Sequence, residues 1–146
     1  MADLSPDQEI LNQIAAILGS IAPPGASEIV FHGKIYEDAN QGRPGWIDGE
    51  GTLHRFSRKS APPLEKISEV LELVEGLKNT PAFAKSPFSQ FEIRLTRTPS
   101  IEINTADIPR EDSWSGLYMR PLSALTWAEA EALRIPREAW EQRQSS

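Results

Sequence analysis

The chain has 146 residues, 39% of them hydrophobic and 25% charged, enough for one domain with its own core and far from the composition of a disordered segment. It contains no cysteine, which excludes disulfides and thiolate metal sites, and its two histidines are the only nitrogen ligands available to a metal. Twenty-one acidic against fifteen basic residues give a net charge of −6, which disfavours sequence-independent binding to nucleic acid and suits either plain solubility or a basic partner.

The N-terminal "MADLSPDQEI" lacks a basic region followed by an apolar one. No apolar run approaches the roughly 18 residues needed to cross a membrane, so the expectation is a cytoplasmic protein with no membrane partner. "SPDQEILNQIAAILGSI" places Ser5 as a helix cap, Pro6 at the first helical position and Gln8 three residues after the cap. Ile10, Leu11, Ile14, Ile17, Leu18 and Ile21 recur at helical spacing, predicting an amphipathic helix over about residues 6 to 18 with Gly19 as its stop.

After the break "PPGAS", the segment "EIVFHGKIYED" alternates, with Ile29, Phe31 and Ile35 on one face and His32 and Lys34 on the other. "ANQGRPG" supplies turn residues, and "WIDGEGTLHRF" reads as the returning strand, with Gly49 and Gly51 suggesting a bulge. A second helix enters through Ser60 and the Pro62-Pro63 pair, its apolar face made of Leu64, Ile67, Val70, Leu71, Val74 and Leu77. Phe91, Ile93 and Leu95, then Ile101 and Ile103, alternate around "TPS" as a second hairpin. The tail is less regular, with a Thr126 to Glu129 capping box and a further helix start at Pro136.

The order helix, hairpin, helix, hairpin, short helices predicts a single α+β domain over residues 1–146. One antiparallel sheet of about four strands is covered by helices, and 106–146 form an irregular C-terminal extension ending in short helices.

Asp48, Glu50 and His54 are the one place where carboxylates and a histidine lie close in sequence. On a regular strand they share a face, but Asp48 and His54 would stand roughly 20 Å apart, too far to share an ion or a proton. The stretch therefore reads as the polar edge of a bulged strand. A small enzyme or small-molecule binding domain built on these three residues is the alternative reading. His32 has no evident carboxylate partner, no nucleotide-binding, zinc-protease or serine-hydrolase motif is present, and no cofactor is expected.

Two acidic groups are candidate partner surfaces: Glu37, Asp38, Asp48 and Glu50 around the first hairpin, and Glu65, Glu69, Glu72 and Glu75 along the second helix. Each is either a solvated face or a surface for a basic protein. Of four tryptophans, Trp127 and Trp140 are expected to fasten the C-terminal helices, while Trp114, among charged and small residues, is either core or an exposed anchor.

Over about residues 5 to 105 the pattern resembles the YezG-like family of bacterial immunity proteins. Ile10, Ile14 and Leu18 in the helix, Ile29, Phe31 and Ile35 in the first strand, and Phe91, Ile93, Leu95, Ile101 and Ile103 in the second hairpin carry the resemblance. The stretch from Trp114 onward has no counterpart in it. The resemblance implies a non-enzymatic cytoplasmic protein, with no catalytic residues, that neutralises a cognate toxin domain, commonly a nuclease. An accessory subunit of a larger assembly is a third reading.

Overall fold

A computed structural model describes residues 5–37, 39–56, 62, 64–97, 100–115 and 117–144. The first helix, α1, spans Pro6–Ile21, and Ser5 caps it by accepting the Gln8 amide at 3.4 Å. It runs through Gly19 rather than stopping there. Its end comes where the Ala22 amide turns back onto the Gly19 carbonyl and Pro23 and Pro24 follow, residues without an N–H to continue the ladder.

Strand β1, Ala26–Tyr36, pairs with β2, Ala39–Asp48, in a register running from Tyr36 opposite Ala39 to Ile29 opposite Trp46. "ANQGRPG" is therefore strand, not turn, and the chain reverses earlier, between Tyr36 and Ala39; Asp38, expected on this surface, lies outside the described residues. Pro44 is tolerated in β2 because the next strand pairs only with Gly45 to Ile47, leaving Pro44 on an edge among the described residues.

The segment expected as one bulged strand is a second reversal. β2 ends at Asp48, and β3, Leu53–Arg55, folds back on it with His54 opposite Trp46. Asp48 Oδ1 accepts the amides of Glu50 at 2.9 Å and Thr52 at 3.0 Å, and Gly51 takes a φ of 88° that a side chain would strain.

β4, Gln90–Thr96, and β5, Ile101–Ala106, form the expected second hairpin. The fold is α+β, as expected, and its antiparallel sheet has five strands rather than four, in the order β3-β2-β1-β4-β5.

Helix α2, Leu64–Lys78, packs with α1 over one face of this sheet, and a short helix α3, Pro81–Ala84, leads into β4. Ile14, Leu18, Val70, Val74 and Leu77 meet Phe31, Phe91 and Ile93, all at most 0% exposed. Leu64, assigned to the apolar face of α2, is instead 81% exposed at its first residue. Gly33 has a packing role: a Cβ there would stand 2.2 Å from Phe91 Cζ, so its absence admits the ring that stacks at 6.0 Å on Phe31.

The chain after β5 crosses the opposite face of the sheet. Beyond two short 3-10 turns it forms α4, Trp127–Ala132, and α5, Arg137–Gln144, around a second cluster of Leu117, Leu122, Leu125, Ala130 and Ile135. The capping box is present, with Thr126 Oγ1 accepting the Glu129 amide at 3.2 Å and Glu129 Oε1 accepting the Thr126 amide at 3.0 Å. Trp127 and Trp140 lie 5.6 Å apart, and Trp140 Nε1 donates to the Leu125 carbonyl at 2.8 Å, fastening both helices to this cluster.

Candidate functional site

The hairpin β2–β3 brings Asp48 and His54 together rather than holding them apart. His54 Nε2 lies 2.8 Å from Asp48 Oδ2, and the imidazole stacks on Trp46 at 4.3 Å with a 17° tilt. The His54 contact, followed by the Thr52 and Glu50 amides, holds the Asp48 carboxyl below its ordinary pKa. Those contacts occupy both carboxylate oxygens in building the turn. Glu50 contributes only its amide to the group, its side chain standing on the exposed turn. Among the described residues no group of three or more His, Asp or Glu side chains could hold a metal ion.

The two acidic groups are rearranged by the fold. Glu37 and Asp48 sit at opposite ends of the first hairpin, about 30 Å apart at the rise of an extended strand, so they do not form one surface. Glu37 instead lines, with Glu75 and Asp107, a cleft of about 700 Å³ whose wall also includes Ile35, Asn40, Lys78 and Phe88. Asn40 Nδ2 donates to Glu75 Oε1 at 3.0 Å, tying the start of β2 to α2. Phe88 and Ile35 are buried and give the cleft an apolar floor, and Lys78 Nζ lies over the Phe88 ring at 5.3 Å.

The helical acidic row divides too. Glu69 and Glu72 line a separate groove between α1 and α2, of about 480 Å³, with Gln13, Ala16, Ile17 and Leu73. Glu65 stands exposed on the first turn of α2. Trp114 is half-buried against the C-terminal cluster, and its carbonyl accepts from Lys34 Nζ, so its main chain belongs to the packing of the sheet's second face.

That face carries a polar array that the sequence left unconnected. His32 does have a carboxylate partner, Glu92, at 3.2 Å, and Arg94 Nε donates to the same carboxylate at 2.6 Å. Burial raises the Glu92 pKa, but the bonds and charges of Arg94 and His32 outweigh it and leave the group below its ordinary value. Lys34 is 4% exposed, and its burial lowers the ammonium pKa. Fully buried Gln90 holds the array to the tail, accepting the Met119 amide at 2.8 Å and donating to Tyr36 Oη at 3.1 Å.

Asp107, Asn40 and Lys78 were not among the residues expected at a site. They reach the cleft from a strand end, a strand start and the last turn of a helix, positions with no shared sequence signal. No family model matches the chain, and no curated protein matches it. No helix among the described residues is long and apolar enough to cross a membrane.

Proposed function

We propose that this chain is a non-enzymatic binding protein of the immunity type, which takes a cognate toxin domain of basic character into the cleft beside the first hairpin. The observation that carries the reading is a cleft that Glu37, Glu75 and Asp107 line against the single cation Lys78 among its described lining residues, over an apolar floor of Phe88 and Ile35. A lysine or arginine side chain from a partner suits such a cleft, its methylene stem lying on the apolar floor beside Lys78 and its cation meeting the carboxylates. The net charge of −6 would speed encounter with a basic surface. A basic active site built for phosphate, as in a nuclease, is the natural counterpart.

The 2.8 Å contact between Asp48 and His54 favours a second reading, a small enzyme or ligand-binding domain centred on the β2–β3 hairpin. It is the weaker one, because Glu50 contributes only its amide there and, among the described residues, no group of three His, Asp or Glu side chains that could hold a metal forms.

Affinity capture of the tagged protein in its source cell, with mass spectrometry of what it retains, tests the first reading. Recovery of a basic toxin-like protein that the Glu37→Lys/Glu75→Lys variant fails to retain is the expected result. Retention of nothing in cells that express such a toxin would refute it.

A further inference from the structure

The second face of the sheet is divided by charge: Arg43 and Arg55 stand on its β2–β3 side, and Glu28, Glu92 and Glu102 lie around Arg94 toward β4 and β5. Strand register sets Arg43 beside His32 and places Arg55 beside Gly45, so both guanidiniums rise from neighbouring positions of one face. Arg55 Nη1 lies 3.0 Å from where a Cβ of Gly45 would stand; the missing side chain lets the guanidinium lie across the strand. Among the described residues neither Arg43 nor Arg55 is within ion-pair distance of a carboxylate, whereas Glu92 is already engaged by His32 and Arg94. Burial first, and then the charge of Arg43, lowers the Arg55 pKa.

Tyr118 lies beside them. The Tyr118 ring covers His32 at 5.3 Å and lies 4.9 Å from Lys34 Nζ, within the field of Arg43 and Arg55. Among the described residues its hydroxyl is buried with no hydrogen-bond partner. Arg55 Nη1 reaches only the Arg43 carbonyl among the described residues, at 3.4 Å. Buried polar atoms without partners are rare in folded proteins, and a bound oxyanion would answer both the orphaned hydroxyl and two guanidiniums that have no carboxylate partner among the described residues. Next along the same face of β2, Gln41 lines a cavity of about 230 Å³ with Lys34, Tyr36, Arg110, Ser113 and Ser115, of which Lys34 already donates to Ser113 and the Trp114 carbonyl; none of these described lining residues is a carboxylate.

We propose that this face binds a small phosphate ester, its phosphoryl oxygens held by Arg43, Arg55 and the Tyr118 hydroxyl, and the remainder of the ligand seated in the neighbouring cavity. A carboxylate is satisfied by one guanidinium fork, whereas a tetrahedral phosphate offers oxygens to two forks and a hydroxyl at once. A nucleic acid strand is disfavoured by the acidic charge of the rest of the chain.

Titration calorimetry of the full chain with inorganic phosphate, pyrophosphate and acetate, at constant ionic strength, tests the site. The expected result is saturable binding of one phosphate or pyrophosphate per chain and none of acetate. Affinity should fall by about tenfold or more in Arg43→Gln/Arg55→Gln and several-fold in Tyr118→Phe, which keeps the ring and removes only the hydroxyl. Absence of saturable binding, equal binding of acetate, or affinity for phosphate unchanged in Tyr118→Phe overturns the proposal. The Tyr118 variant decides the matter even where the double arginine variant fails to fold.

Discussion

The two faces of the sheet are built by different physics. Under α1 and α2, the face of Phe31, Phe91 and Ile93 is apolar and closed, and its stability comes from area removed from water. Under the C-terminal segment, the face of His32, Lys34, Gln90 and Glu92 is polar, and the cover is held by hydrogen bonds from a few side chains to the main chain of residues 108 to 119. The apolar cluster of that segment lies among its own helices and turns rather than on the strands. The helix-covered face therefore specifies the fold, and the other face is free to carry charge and orphaned polar groups.

The largest effect is expected on the apolar face. Phe91→Ala removes a fully buried ring that contacts both Phe31 and Phe88, and should destabilise the whole protein by about 3–5 kcal/mol in urea unfolding. A loss confined to one part of the chain would show that the core is not the shared foundation.

Gln90→Ala cuts the other way. It leaves the Met119 amide and the Tyr36 hydroxyl without their Gln90 partner, at about 1–3 kcal/mol, and its effect should appear as faster hydrogen exchange in residues 107–144 while α1 and α2 stay protected. Equal loosening of α1 would mean that the two faces unfold as one unit.

The smallest effect is electrostatic and lies in the C-terminal helices. The Arg120 bond and the Thr126 amide depress the Glu129 pKa to about 2, from an ordinary 4.5. A depressed acid stabilises the fold only while ionised, so its contribution is full above about pH 4.5 and is lost as pH falls toward 2. Tryptophan fluorescence, dominated in this segment by Trp127 and Trp140, should report loosening in that window, and Glu129→Gln should flatten it. An unchanged acid profile in the variant would assign the transition to other carboxylates.

Local signals were the legible ones. The Ser5 cap, the stripe from Ile10 to Ile21, the alternation that pairs β4 with β5 and the Thr126 box are each written within a few residues and are present in the structure, whereas Thr98 and Pro99 of the expected connection "TPS" lie outside the described residues. "DGEGT" was harder, because two glycines in an even-numbered alternation serve a bulge and a reversal equally well, and the choice rests on Asp48 receiving two turn amides. "ANQGRPG" misled because glycine and proline signal turns, yet an edge strand accepts both.

The cleft was not legible at all. Glu37, Glu75 and Asp107 come from a turn, a helix and a strand end, and only the pairing of β1 with β4 and the packing of α2 set them side by side. Likewise, the alternation of His32 and Lys34 marked one face of β1 as polar without indicating that Tyr118 and Trp114, more than eighty residues away in one case, would cover it.

The most direct test of the account is the affinity of the captured basic partner for two charge-reversed proteins, one altered in the cleft at Glu37 and Glu75, the other in the helical groove at Glu69 and Glu72. The account expects the cleft variant to bind about a hundredfold more weakly and the groove variant to stay close to the native protein. Native affinity in the cleft variant, or a loss confined to the groove variant, would contradict it.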